Sequence, residues 1–68
     1  MVLYGTFLEL HDYYSGGTLL IRADMIQEIH TIGDITCIAY VGNKEPFVVD
    51  EDYETVRGLL GVVYGKKG

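Results

Sequence analysis

Two histidines, one cysteine, six tyrosines and a run of carboxylates carry most of the chemistry available to this 68-residue chain. His11 and His30 each stand in a stretch that reads as a strand, and they would face each other if those strands paired. A protein metal site takes three or four ligands. Only Asp12 and Glu28 stand beside the two imidazoles, so exposed strand histidines are the simpler reading and no metal ligand is assigned. Cys37 alternates with Ile35 and Ala39 on an apolar face, where a thiol behaves as a small hydrophobe. A nucleophilic thiol needs an activating base and some exposure. Nothing near Cys37 in sequence supplies the base, and neither a catalytic residue nor an enzyme activity is expected.

Asp50, Glu51, Asp52 and Glu54 crowd four carboxylates into five positions. A calcium loop spaces its ligands around a central glycine, and that spacing is absent. The acids instead precede a helical pattern, where negative charge meets the positive end of the helix dipole, and Asp52 is the expected N-cap. Gly16-Gly17 lacks the lysine and the strand-loop-helix setting of a phosphate cradle, so it reads as a turn and no cofactor is expected. The tyrosines are more telling as a group, because a ring that buries area and a hydroxyl that finds a partner suit interfaces as well as ordinary packing. Tyr13, Tyr14 and Tyr40, with the terminal segment Val62, Val63 and Tyr64, are the candidate interface.

The elements that must position these residues are organised around the stretch from Asp34 to Tyr53. Ile35 to Val41 alternates with both faces largely apolar, which is the mark of a central strand covered on both sides. Gly42 to Glu45 turns the chain, Pro46 opens a fifth strand where its missing amide hydrogen does no harm, and Phe47 and Val49 point opposite to Val48. Upstream, Thr6 to His11 alternates with Leu8 and Leu10 on one face, Asp12 to Gly17 forms a glycine-bearing hairpin loop, and Thr18 to Arg22 returns. A short turn at Ala23 to Met25 leads into a third strand from Ile26 to Thr31, and Gly33 marks the next reversal. Tyr53, Val56, Leu59 and Leu60 recur at helical spacing and predict the buried stripe of a C-terminal helix. Gly58 weakens it by about 1 kcal/mol relative to alanine, and Gly61 is the expected stop. Met1 to Tyr4 reads as an edge strand, a flap or a disordered start. Val62 to Tyr64 reads as a further strand or a dimer arm, and Gly65 to Gly68 as a disordered end.

Length and charge narrow the function classes. A chain this short buries only roughly 60% of the surface that its unfolded form exposes, and small domains commonly add disulfides, a metal or a partner. One cysteine excludes an internal disulfide, which leaves a second copy of the chain as the expected source of extra stability, with another protein as the alternative partner. Ten acidic against five basic side chains give a net charge of −5. Nucleic-acid binding rests on Lys and Arg neutralising phosphates, so no nucleic acid is expected as a partner. No stretch approaches the roughly 20 apolar residues of a membrane span, and the first residues lack a basic segment and an apolar core before a cleavage site. The expectation is therefore a cytoplasmic protein without membrane insertion.

The order of features resembles the flagellar FlbD-like family, also called swarming motility SwrD-type. The resemblance covers Leu8 to about Leu60. It is carried by the strand and glycine-turn order, by Ala23-Asp24-Met25-Ile26-Gln27-Glu28-Ile29 in place of an Asn-Pro-Asp-x-Ile-x-x-Ile signature, and by Phe47-Val48-Val49-Asp50-Glu51-Asp52-Tyr53-Glu54-Thr55-Val56. Arg22 and Ala23 replace that signature's Asn and Pro, and Asp52 stands where the family has a capping Ser. The resemblance implies a small, mostly β motility accessory with no catalytic residues to carry over. Small proteins of gut bacteria and their mobile elements share the same element order, and a fainter similarity links the chain to β-rich LytTR-type DNA-binding domains.

The sequence thus predicts a mostly β, α+β domain over residues 1–61, with about five antiparallel strands in meander order, twisted or partly closed, and one short C-terminal helix. Residues 62–68 are expected as a tail or oligomerisation arm. The leading function is a non-catalytic, self-associating protein-interaction module, and the alternative is a LytTR-like nucleic-acid-binding regulatory domain.

Overall fold

Alternation sets the first hairpin. In Phe7–His11 (β1), Leu8 and Leu10 are buried while Phe7 and Glu9 are exposed, the two-residue period of a strand with one face on a core. β1 pairs antiparallel with Thr18–Arg22 (β2), which sets Leu8 opposite Ile21 and Leu10 opposite Leu19. The connecting loop is built on Asp12, whose Oδ2 accepts from the amides of Tyr14 at 3.1 Å and Ser15 at 2.8 Å. Of the two glycines, Gly16 takes the left-handed conformation with φ of +76°. The structure, a computed structural model, describes the backbone of residues 7–64 and the side chains of residues 7–61. The expectations for Met1 to Tyr4 and for Gly65 to Gly68 fall outside the described residues.

A single 3-10 turn at Ala23–Met25 redirects the chain, as its irregular apolar spacing predicts, and buries Ala23. The second sheet follows, with Ile35–Tyr40 (β4) between Ile26–Ile32 (β3) and Phe47–Val49 (β5), all antiparallel. Ile32 and Ile35 face each other across a two-residue connection whose first position, Gly33, has φ of +61°. That φ pattern suits the right-handed twist of the strands it joins. β4 buries Thr36, Cys37 and Ile38 in succession, as expected of a central strand.

The five strands do not form one continuous meander. β2 and β3 are consecutive but unpaired, because the 3-10 turn between them turns the chain from one ladder to the other. The two sheets meet instead at a corner where the end of β1 reaches β5: Asp12 bridges Val49, the Tyr13 amide donates to the Val48 carbonyl at 2.9 Å, and the Asp50 amide donates to the His11 carbonyl at 2.8 Å. A second join runs from β2 to β4, where the Arg22 amide donates to the Tyr40 hydroxyl at 3.1 Å. The sheets are joined at these points without closing into a barrel.

Tyr53–Tyr64 (α1) covers one face of this arrangement. Asp52 caps it as expected: its Oδ1 accepts from the Thr55 amide at 2.8 Å, and its carbonyl accepts from the Val56 amide at 3.1 Å. Val56 is buried with Leu8, Leu10, Ile21, Ala23, Ile38 and Val49, and Leu59 and Leu60 pack against that core. Tyr53 departs from the expected stripe and is exposed, because as the first residue of the helix it stands beyond the end of the core. Gly61 does not stop the helix, and Val62 to Tyr64 continue it in place of a strand. A glycine ends a helix by adopting the left-handed conformation, and Gly61 is not among the glycines with positive φ. No helix among the described residues is long and apolar enough to cross a membrane.

Two substitutions test this account of stability. Leu10→Ala removes a fully buried side chain and is expected to cost about 2–5 kcal/mol in urea unfolding. Gly58→Ala adds a methyl group that meets nothing within 4 Å and is expected to raise stability by about 1 kcal/mol, the difference in helix propensity.

Candidate interaction surface

Residues directly opposite each other on antiparallel strands share a face, so the pairings of β3, β4 and β5 sort their side chains into two sets. Ile29, Ile38 and Phe47 lie together, as do Thr31, Thr36 and Val49, and this is the face on the core. The opposite face carries Ile32 beside Ile35, then His30, Cys37 and Val48, then Glu28 beside Ala39. Ile32 is 64% exposed, and Ile35, Ala39 and Val48 are half-buried. Cys37 is buried and free, because as a small residue in the middle of the central strand it is covered by its neighbours.

The first sheet has its own exposed apolar pair. Leu20 is 62% exposed and stands diagonally from the exposed Phe7. The candidate tyrosines divide. Tyr13 and Tyr14 sit in the loop after β1, exposed, with rings 5.3 Å apart in an edge-to-face arrangement; Tyr14 is 78% exposed. Tyr40 turns inward, where its hydroxyl accepts from the Arg22 amide at 3.1 Å and its ring meets Phe47 edge-to-face at 5.3 Å. It fastens β2 to β4. The side chains of Val62, Val63 and Tyr64 lie outside the described residues, and their backbone is helical.

The histidines are not partners. β1 pairs with β2 and β3 pairs with β4, so His11 stands opposite Thr18 and His30 opposite Cys37. Among the described residues no group of three or more His, Cys, Asp or Glu could hold a metal ion. His11 is instead gripped twice by Glu51, whose Oε1 accepts from the His11 amide at 2.9 Å and whose Oε2 accepts from the ring Nδ1 at 2.6 Å. The hydrogen bond to Glu51 raises the His11 imidazole above its ordinary value. Burial would push the Glu51 carboxyl up, but the His11 ring and amide together leave it below its ordinary value. Glu51 lies 40 residues from His11 in sequence, and no local pattern announces the pairing. The Ser15 amide holds the Asp12 carboxyl low, and the hydroxyl and amide of Thr55 hold Asp52 low.

The cations among the described residues are few and mostly paired. Arg22 meets Asp24 through Nε at 3.1 Å and through a terminal nitrogen at 2.8 Å, and Arg57 lies 3.6 Å from Glu54. Beside β3, a groove of about 350 Å³ is bounded by half-buried Ile26, Ile29 and Leu60 and by exposed Glu28, Tyr53 and Arg57. Compared with known proteins, the chain matches no family model, no curated protein and no solved structure.

The Glu51 grip makes stability depend on pH in both directions. The His11 contribution is fully present below its ordinary value of 6.5 and is lost as pH rises through the raised folded value. The Glu51 contribution is fully present above its ordinary value of 4.5 and is lost as pH falls through the lowered folded value. Thermal melting of the chain is therefore expected to peak in the mildly acid window between those values. Glu51→Gln is expected to shrink the alkaline limb to the part that Glu9 and Asp50 sustain, while Asp12 and Asp52 preserve an acid limb.

Proposed function

We propose that this chain is a non-catalytic protein-interaction module that associates with itself through its three-stranded sheet. The observation that carries this reading is the outer face of β3, β4 and β5, which the exposed Ile32 shares with the half-buried Ile35, Ala39 and Val48. A single exposed apolar side chain is ordinary, whereas a contiguous group marks a surface built for contact. The small size of the core adds a motive. Eight buried apolar side chains among the described residues give a domain of this length a narrow margin, and a partner surface adds to it.

The resemblance to FlbD-like proteins supplies a process for such a module, as an accessory in motility. Against the LytTR-like alternative stand the net charge of −5 and the pairing of Arg22 and Arg57 with carboxylates, which leave little positive surface for phosphates.

Light scattering across a concentration series tests the reading. The expected mass exceeds that of one 7.6 kDa chain and falls on dilution. A chain ending at Tyr64, which keeps the whole helix, is expected to associate as the intact chain does. A monomer at every concentration would overturn self-association, while an oligomer lost on removing residues 65–68 would overturn its assignment to the sheet. Retention on DNA that weakens as salt rises is the result that would favour the nucleic-acid alternative.

A further inference from the structure

We infer that two copies of this chain join edge to edge, β3 against β3, in an antiparallel pairing centred on Ile29. The inference rests on the self-association reading above and goes beyond it, placing the contact at the edge of the sheet, so that the outer faces of the two copies become one continuous surface. β3 carries β4 on one side and, among the described residues, no strand on the other. An unpaired edge presents backbone amides and carbonyls that template another strand, and a two-fold axis lets one strand serve as its own partner.

The sequence of β3 selects the register. With Ile29 opposite Ile29 of the second copy, Glu28 faces His30 and Gln27 faces Thr31, and the two-fold axis repeats each pair. A carboxylate opposite an imidazole is complementary, since the ring donates a hydrogen bond and adds charge when protonated. The neighbouring registers lack this. Centring on Glu28 opposes two carboxylates directly, and centring on His30 opposes two imidazoles and sets Glu28 against the exposed Ile32. Like charges directly opposite destabilise a sheet.

Two features of the single chain accommodate the second strand. A groove between β3 and α1, bounded by Ile26, Glu28 and Ile29 together with Leu60, Tyr53 and Arg57, lies beside the residues at the centre of this pairing. His30 and Glu28 also stand side by side on one face of β3, with Nδ1 3.3 Å from Glu28 Oε2 and no hydrogen bond between them, so the two-fold axis brings both groups to the seam together. The bulge between Ile26 and Glu28 bends the strand at one end and confines regular pairing to the centre of β3, where the complementary residues lie.

A charge swap tests the inference. His30→Glu sets Glu28 against a second glutamate at both symmetric positions and is expected to weaken association roughly tenfold, the combined effect of two repulsive cross-strand pairs. The double variant Glu28→Lys with His30→Glu restores opposite charges and is expected to associate as the wild type does, with circular dichroism confirming that each variant keeps its fold. A wild-type dimer indifferent to both variants would overturn the edge pairing and leave self-association standing through another surface. A wild-type monomer at every concentration would overturn both.

Discussion

The Glu51 carboxylate does for this fold what a longer chain would do with buried area. It holds the amide and the ring of His11 at once, next to the corner where β1 meets β5 and one residue before the Asp52 cap. The hairpin, the second sheet and the start of the helix are thereby fixed by one side chain. Hydrogen bonds to a charged group are about twice as strong as neutral ones. The half-buried setting of Glu51 shields the grip from solvent without isolating the charge, so the pair keeps its attraction and avoids the desolvation cost of a deep ion pair.

A narrow core explains the division of labour among the other residues. Leu10, Ile38, Val49 and Val56 are fully buried and lie where the two sheets and the helix converge. Thr36 sits beside them with its hydroxyl buried and unpaired, a group whose unmet hydrogen bond costs stability. Apolar side chains on the outer face contribute little to this core. Their exposure is the ground of the interaction proposal, which is why that proposal attaches to the sheet and leaves the helix as its support.

What could be read from the sequence was local in origin. The alternation of Leu8 and Leu10, the turn at Ala23 to Met25, the central character of β4 and the Asp52 cap all follow from residues close together in the chain, and each appears in the structure. The break between β2 and β3 was illegible because pairing between strands depends on where the chain has already been turned, and Ala23 to Met25 show only that it turns. The inward placement of Tyr40 depends on the Arg22 amide and Phe47, contacts that no spacing encodes. Gly61 misled for a related reason: the residue permits a stop, and only the backbone conformation it adopts decides whether one occurs. For the candidate site, residue type and turn position announce the exposure of Tyr13 and Tyr14, whereas the outer face emerges only from the register of three strands.

The corner between β1 and β5 also sets the order in which the molecule can assemble. Each of the three ladders joins strands adjacent in sequence, so each hairpin closes a short loop at small entropic cost. The bridge from Asp12 to Val49 closes a loop that contains three of the five strands and cannot form until they are nearly in place. Loop closure therefore favours the local hairpins ahead of the docking of the two sheets at this corner.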